Sequence, residues 1–299
     1  MISLHNWYPR REYVSLIDSH LNEHWGIKDI PTAEKYDELV GKIGKSRFKK
    51  LVRLVNARNE QGVADLMADP AVHALQVSLY RRPILIDLIA LAWGYISTHG
   101  ITGPVLDVGC HNGLVIDFLS RHLGNDFIGI DPSSRAIGTA KSRSQCSGRL
   151  SFNEGYLPLV TDKYYDLVLC LDVVHHIAPQ EQNQGLQSIF KALNANGVAI
   201  ISAPTLDRLS WWCDASDSIA AQHMELVAIG YVGGGVNGGR DWRRSVACIF
   251  KKVDGVPALI DSRELTESMK KYWINIFKPY ADLLETPCHE LSTAFCSTS

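Results

Sequence analysis

Short apolar runs alternate with amphipathic stretches through the middle of the chain. Strands are predicted for the apolar runs at residues 105–108, 126–130, 150–152, 167–171, 198–203 and 246–251. The segments near 114–123, 133–145 and 181–194 carry apolar residues at helical spacing, and Gly197 is predicted to stop the last helix. Apolar strands separated by helices are typical of a parallel sheet that helices cover on both faces. The pattern predicts an α/β fold.

The two ends of the chain do not follow this alternation. Residues 1–78 combine helical patterning with many charges and are predicted to form a helical extension. The core is expected to span 79–253, with an apolar helix at 79–99, a further helix at 215–229 and a glycine-rich hairpin or rim loop at 230–242. Residues 254–299 are predicted to form a tail that contains an amphipathic helix at 264–284.

Composition and charge narrow the classes of function. The 299 residues are 46% hydrophobic and carry a net charge of −2, so we expect a soluble globular protein that binds neither nucleic acid nor a membrane. The longest apolar stretch is shorter than the roughly 20 residues that span a bilayer, and the amino-terminal residues lack the apolar run of a secretion signal. The seven scattered cysteines include no C-x-x-C pair, which favours reduced thiols and a cytoplasmic location.

Two charged features of the extension have a structural explanation. The basic run at 45–53 carries its apolar residues at helical spacing, so a solvated helix face explains it better than a nucleic-acid patch. His20 and His24 have the i, i+4 spacing that can hold zinc, but no third ligand is evident nearby. We therefore expect two surface histidines and no metal site.

The strongest chemical signal is the sequence VLDVGCHNG at 105–113, where a strand runs into a glycine-containing turn and then a helix. Gly109 lets the backbone turn tightly and lets a ligand approach the main chain, and Gly113 permits close packing of helix on strand. Asp107 stands at the end of the strand, where its carboxylate can attract an ammonium group. A dinucleotide loop would read G-x-G-x-x-G, and this loop lacks the middle glycine.

A second acidic residue ends the next predicted strand, FIGIDP at 127–132. A carboxylate in this place can accept hydrogen bonds from both ribose hydroxyls, so Asp131 predicts a nucleoside site. The structural alternative is that Asp107 and Asp131 only cap the helices that begin near 114 and 133. Two strand-end acids with glycines between them favour the nucleoside site.

These residues resemble the first motif of the class I S-adenosylmethionine-dependent methyltransferases, which is an acidic residue, x, Gly, x, x, x, Gly. The resemblance covers roughly residues 80–252 and implies the Rossmann-like methyltransferase fold, a mostly parallel seven-stranded sheet with helices on both faces. It implies S-adenosyl-L-methionine as cofactor, held by Asp107, Gly109, Cys110, Gly113, Asp131, Pro132 and Cys170. In the family an acidic residue a few positions before Leu-Pro binds the adenine amino group; here that place falls on Asn153 or Glu154.

The sequence DVVHHIAP at 172–179 follows the fourth predicted strand, at the edge where ligands bind in open α/β sheets. A histidine has a suitable pKa for removing a proton from a methyl acceptor, so His176 or His175 is the candidate base. On a helical turn Asp172 could orient His176, and a similar pairing appears in methyltransferases acting on phosphoethanolamine. The alternative is that a histidine here simply closes the cofactor pocket, as is common in the superfamily.

The predicted function is methyl transfer to oxygen, nitrogen or carbon of a small-molecule metabolite, within a biosynthetic pathway. Tyr80, Trp211 and Trp212 are candidates for the wall of the acceptor pocket, with core packing as the alternative. Two other functions stay open: a module that binds S-adenosylmethionine without turnover, and a nicotinamide-dependent oxidoreductase, against which the missing glycine argues. A homodimer is also left open.

Overall fold

One sheet forms the centre of the molecule and orders the helices around it. The computed structural model describes residues 2–3, 11–27, 41, 45–57, 59, 62, 65–66, 68–77, 82–144, 148–203, 223–232 and 245–254. Within them the sheet has eight strands. They are β1 (Ile2–Ser3), β2 (Val105–Val108), β3 (Phe127–Asp131), β4 (Leu150–Glu154), β5 (Tyr165–Leu171), β6 (Leu193–Ala203), β7 (Met224–Val232) and β8 (Ser245–Lys252).

The strand order in the sheet is β1-β7-β8-β6-β5-β2-β3-β4. All neighbouring pairs are parallel except the two that β8 makes, since it runs antiparallel to both β6 and β7. The helices are α1 (Arg11–Trp25), α2 (Lys45–Asn56), α3 (Pro70–Gln76), α4 (Arg82–His99), α5 (Leu114–His122), α6 (Ser134–Arg143) and α7 (Pro179–Lys191). A short 3-10 turn, Val174–His176, lies between β5 and α7.

Alternate residues of the central strands pack into two hydrophobic clusters, one on each face of the sheet. On one face Val105, Leu167 and Ile200 pack with residues of α1, α4 and α5. On the other face Leu106 and Val168 pack with residues of α7. Because successive side chains of a strand point to opposite faces, a strand buried on both reads as a continuous apolar run. This arrangement explains the apolar runs from which the strands were predicted.

The predicted fold class is confirmed, because the sheet is mostly parallel and helices cover both faces. The six predicted strands and three predicted intervening helices all form, with ends that differ by a few residues. Seven strands were expected, and the described sheet has eight, of which the two-residue edge strand β1 was not predicted. It pairs with β7, so only the tertiary structure brings these distant segments together.

Two predicted elements are wrong. The segment 215–229 was expected to be helical, but Met224–Val232 is β7, which pairs along its length with β8. Its near-continuous apolar run fits a buried helix as well as a strand, and pairing decides between them. Gly197 does not stop a helix either: α7 ends at Lys191, and Gly197 lies inside β6, after Asn196 with φ of 61°.

The extension is part of the same core as the sheet. Ile17 and Leu21 of α1 are fully buried in the cluster that contains α4 and α5, and Arg82 of α4 pairs with Asp18 of α1. His20 was expected at the surface, but it is buried and accepts a hydrogen bond from the indole of Trp25 at 3.2 Å.

Other predictions for the extension agree with the structure. His24 is exposed, as predicted. Lys49, Lys50 and Arg53 of α2 are exposed as well, as a solvated basic face requires.

Tyr80, Trp211 and Trp212 lie outside the described residues, as do most of the rim loop and the helix predicted at 264–284. No helix of the described part is both long and apolar enough to cross a membrane.

Asp117 of α5 is a buried carboxylate at the contact between α1 and α5. Arg121 donates to both of its oxygens, at 3.1 and 3.3 Å, and Nε2 of His20 lies 3.5 Å from Oδ2. An Nε2 without a hydrogen accepts from Trp25, whereas an Nε2 that carries a hydrogen donates to Asp117, so the two bonds do not form at once. Burial acts to raise the pKa of Asp117, but the hydrogen bonds from His20 and Arg121 outweigh it and lower the pKa.

We expect Asp117→Asn to lower the free energy of unfolding at neutral pH by about 1–3 kcal/mol, because a charged hydrogen-bond acceptor is lost in a buried place. Because the pKa of Asp117 is lowered in the folded protein, its ionised carboxylate stabilises the fold above the ordinary pKa range near pH 4. This stabilisation is lost as pH falls through the folded-state pKa. The deficit should therefore shrink in acid. Urea unfolding across pH measures it, with the exposed Asp162→Asn as control; a deficit that does not change with pH would contradict this account.

Candidate cofactor and active site

The turn after β2 is held against the end of β3 by backbone hydrogen bonds. The N–H groups of Gly109 and Cys110 both donate to the carbonyl oxygen of Ile130, at 2.8 and 2.9 Å. Gly109 has φ of 73°, a conformation that residues with a side chain rarely adopt. A Cβ on Gly109 would lie 2.3 Å from Cγ2 of Val173, in the turn after β5. Glycine is therefore needed both for the turn and for the close approach of the neighbouring loop.

Gly113 serves the packing of this turn on the sheet. Its φ is 80°, and a Cβ there would lie 2.5 Å from the ring of Phe152 on β4. Asn112, which lies between the two glycines and was not anticipated, has a buried side chain. Neither polar atom of its amide has a hydrogen-bond partner among the described residues. The turn thus carries unused hydrogen-bonding capacity beside the predicted cofactor site.

Asp107 is a buried carboxylate that the described part of the chain leaves partly unsatisfied. It is only 2% exposed, and its Oδ2 has no hydrogen-bond partner among the described residues. Burial, and then the nearby charge of Asp131, raise its pKa to about 8. A buried carboxylate in this state gains most from a cationic ligand, because the cation offsets the cost of removing the charge from water.

Asp131 ends β3 beside Asp107, and its carboxylate is oriented by two backbone groups. Oδ2 accepts from the N–H of His111 and Oδ1 from the N–H of Ser133, both at 2.9 Å. Burial raises its pKa, and these two hydrogen bonds oppose that rise. Each carboxylate oxygen has a second lone pair, so both can also accept from a ligand hydroxyl.

The helix-capping explanation of these two acids does not hold. Helix α5 begins after Gly113 without a side-chain cap, so Asp107 caps nothing there. Helix α6 is capped by Ser133, whose Oγ accepts from the N–H of Ala136 at 3.2 Å. Neither acid is needed as a cap, which leaves both available for a ligand.

The other residues predicted to hold the cofactor differ in their burial and in their position relative to Asp107 and Asp131. Pro132 is half-buried next to Asp131, and Asn153 and Glu154 are both exposed at the end of β4. Glu154 pairs with Asp131 in the sheet, whereas Asn153 pairs with Ile130. Cys110 is buried, with its thiol 3.7 Å from the carbonyl oxygen of His111, and burial raises its pKa. Cys170 is fully buried in the cluster that contains α7, which favours a packing role.

Asp172 lies at the carboxyl end of β5, the strand next to β2, in a left-handed conformation with φ of 57°. The hydroxyls of Ser202 on β6 and Ser245 on β8 donate to its two oxygens, at 2.8 and 3.0 Å. Its own N–H bonds to Ser202 as well. Sequence reasoning missed both serines, because nothing in the sequence signals that β8 returns beside β6.

The two candidate base residues follow directly in the 3-10 turn. The rings of His175 and His176 lie 3.9 Å apart, with His175 half-buried and His176 exposed. The turn spans Val174–His176, so Asp172 precedes it and the predicted helical i, i+4 arrangement of Asp172 and His176 is wrong. The tight turn after the strand takes the place of the expected helix.

The site thus gathers three buried carboxylates, of Asp107, Asp131 and Asp172, at the ends of the adjacent strands β2, β3 and β5. S-adenosylmethionine carries a sulfonium and an ammonium group, which fit such a site, and ribose hydroxyls, which fit Asp131. The unsatisfied oxygen of Asp107 is the observation that favours this fit. Among the described residues no group of three or more histidine, cysteine or acidic side chains has the geometry to hold a metal ion.

Known proteins are similar to the central part of this chain. Residues 105–197 match the family model described as a methyltransferase domain. The ubiquinone biosynthesis O-methyltransferase of Azorhizobium caulinodans is 35% identical over 107 residues, which are 35% of this chain and 40% of that protein. The corresponding enzyme of Rickettsia conorii is 33% identical over 100 residues, 33% of this chain and 34% of that protein. The chain thus matches less than half the length of these relatives.

Among solved structures, the N-methyltransferase NodS from Bradyrhizobium japonicum WM9, in complex with S-adenosyl-L-homocysteine, is similar at 18% identity and a TM-score of 0.47. The similarity covers 58% of this chain and 88% of that one. The matched segment 105–197 contains the glycine turn and the acids at the ends of β2 and β3. This segment of the chain is thus similar to a methyltransferase domain.

Proposed function

We propose that this protein transfers a methyl group from S-adenosylmethionine to a small molecule. The observation that carries the proposal is the buried, unsatisfied Oδ2 of Asp107 beside the glycine turn. When bound, the cofactor supplies an electrophilic methyl group on a sulfonium. Asp107 would accept a hydrogen bond from the ammonium group, and Asp131 would accept from the ribose hydroxyls. Asn153 or Glu154, at the end of β4, would bind the adenine.

The acceptor would bind on the side of the 3-10 turn, next to the histidine pair. His176 is the better candidate base because it is exposed, whereas His175 is half-buried. An imidazole has the right pKa to take the proton that a hydroxyl or amine loses as it is methylated. Asp172, held by Ser202 and Ser245, would fix the start of this turn.

A hydroxyl group is the favoured acceptor. This preference is supported by the names of the relatives, O-methyltransferases of ubiquinone biosynthesis, which are 35% and 33% identical over 107 and 100 residues. The proposal also includes nitrogen and carbon acceptors. A biosynthetic role and a cytoplasmic location belong to the same proposal.

The first test is a ligand panel. We expect S-adenosylmethionine and S-adenosylhomocysteine to raise the melting temperature and to bind in calorimetry, because a ligand that binds only the folded state stabilises it. NADH and NADPH should do neither, since the turn lacks the middle glycine of a dinucleotide loop. Binding of NADH in place of the first two ligands would refute the proposal. Formation of S-adenosylhomocysteine with a panel of small alcohols, phenols and amines then separates an enzyme from a binding module.

Asp107→Asn should have opposite effects on cofactor binding and on stability. Affinity for S-adenosylmethionine should fall about 10- to 100-fold, because a charged hydrogen bond to the ammonium is lost. Because the pKa of Asp107 in the folded protein is raised to about 8, keeping this carboxyl group in the fold becomes more costly as pH rises. The cost to the cofactor-free fold, relative to the unfolded chain, grows from the ordinary pKa range near pH 4 up to about pH 8. The variant escapes this penalty, so its melting temperature should exceed that of the wild type increasingly over this range.

Calorimetry and thermal melts between these pH values measure both effects, and the exposed Asp162→Asn provides the matched control. Unchanged affinity in Asp107→Asn would show that the ammonium group binds elsewhere. A difference in melting temperature between Asp107→Asn and the wild type that does not vary with pH would show that the pKa of Asp107 is not raised in the folded protein.

His176→Ala tests the proposed base. Turnover with an acceptor found in the panel should fall by about 10²–10⁴-fold, the usual contribution of a general base, with cofactor affinity unchanged. The loss should be smallest at high pH, where hydroxide and the ionised acceptor replace the base. His175→Ala is the matched comparison: if it abolishes turnover while His176→Ala does not, the two roles are reversed.

A further inference from the structure

The carboxylate of Asp131 is held by two residues from different parts of the chain. His111, in the glycine turn, donates its N–H to one oxygen, and Ser133, at the start of α6, donates its N–H to the other. His111 is a non-glycine residue with φ of 50°, a left-handed conformation that costs conformational free energy. The direction of the Asp131 carboxylate therefore depends on how firmly these two residues are kept in place.

Both residues are contacted by one short segment of the amino-terminal extension. The ring of His73, on α3, lies 4.5 Å from the ring of His111, with 34° between the ring planes. Asp65 accepts a hydrogen bond from Oγ of Ser133 at 3.2 Å. We call this segment, Asp65, Leu66 and residues 68–76, the clasp. Its two contacts reach the same two residues that hold Asp131.

The clasp is itself fixed to α6. Arg135 donates to the carbonyl oxygen of Asp65 at 3.3 Å and lies 3.7 Å from the carboxylate of Asp69. Oγ1 of Thr139 lies 3.5 Å from the carbonyl oxygen of Ala68. Leu66, Ala68 and Val72 are buried. Polar contacts along α6 and burial of three apolar side chains together give the clasp a defined position against α6.

We propose that the clasp orients Asp131 for the cofactor ribose, with Asp65 and His73 as positioning residues. Neither touches the proposed ribose position; Asp65 acts through Ser133 and His73 acts through His111. A ligand-binding group that its neighbours already hold in the bound geometry loses less freedom on binding, which raises affinity. The inference rests on the proposed function, and it makes the extension a working part of the cofactor site.

A double-mutant cycle tests the coupling. By calorimetry with S-adenosylhomocysteine, Asp65→Ala and His73→Ala should each weaken binding about tenfold, the low end of what supporting residues contribute at binding sites. Combined with Asp131→Asn, either should add little further loss, because the carboxylate that they orient is gone. Methylthioadenosine, which has the ribose but lacks the amino-acid part, should lose affinity by the same factor as S-adenosylhomocysteine.

Conservative variants separate positioning from general damage to the fold. Asp65→Asn keeps an oxygen that accepts from Ser133, and His73→Phe keeps a ring against His111, so both should bind close to wild type. Asp162→Ala, at an exposed position, is the control, and thermal melts establish that each variant is folded. If Asp65→Ala does not fold, the His73 pair of variants decides the outcome.

The outcomes distinguish this inference from the proposed function. If the wild-type chain does not bind S-adenosylhomocysteine, the proposed function fails. If the wild type binds, but the clasp variants bind equally well or their losses add fully to that of Asp131→Asn, then the clasp does not orient Asp131. Failure of Asp65→Asn and His73→Phe to restore affinity would overturn the inference too.

Discussion

A carboxylate that is removed from water must be hydrogen-bonded or must meet a positive charge, since its burial is otherwise costly. Three carboxylates are buried at the carboxyl edge of this sheet, and they differ in how many hydrogen bonds the protein donates to them. Asp172 receives two serine hydroxyls, and Asp131 receives two backbone N–H groups. Asp107 keeps an oxygen without a partner in the described part of the chain, and its pKa rises to about 8. A cationic ligand at this edge would remove that imbalance.

The parallel sheet explains why these groups meet. Strands β5, β2 and β3 are neighbours in the sheet and run in the same direction, so their carboxyl ends lie side by side. The glycine turn leaves β2 at this edge, and Val173 packs over Gly109 so closely that no side chain fits between them. The turn that carries Gly109 and the turn that carries His175 and His176 are thus close together, as the proposed methyl transfer between two adjacent ligands would require.

The amino-terminal extension is integrated with this architecture at two places. Helix α1 buries Ile17 and Leu21 in the cluster on one face of the sheet. The clasp contacts the residues that orient Asp131. Under the two proposals above, changes in the extension are expected to affect both stability and cofactor binding.

The sequence by itself determined the alternation of strands and helices, the glycine turn and the acids at 107 and 131, because each depends on local chemistry: burial on two faces, a left-handed backbone, and a carboxylate at the end of a strand. It did not determine β7, whose apolar run fits a helix or a strand until β8 pairs with it. Nor did it signal Ser202 and Ser245 around Asp172, or Asp65 and His73 around Asp131. These contacts join residues far apart in the chain, and only the tertiary structure decides which distant segments meet.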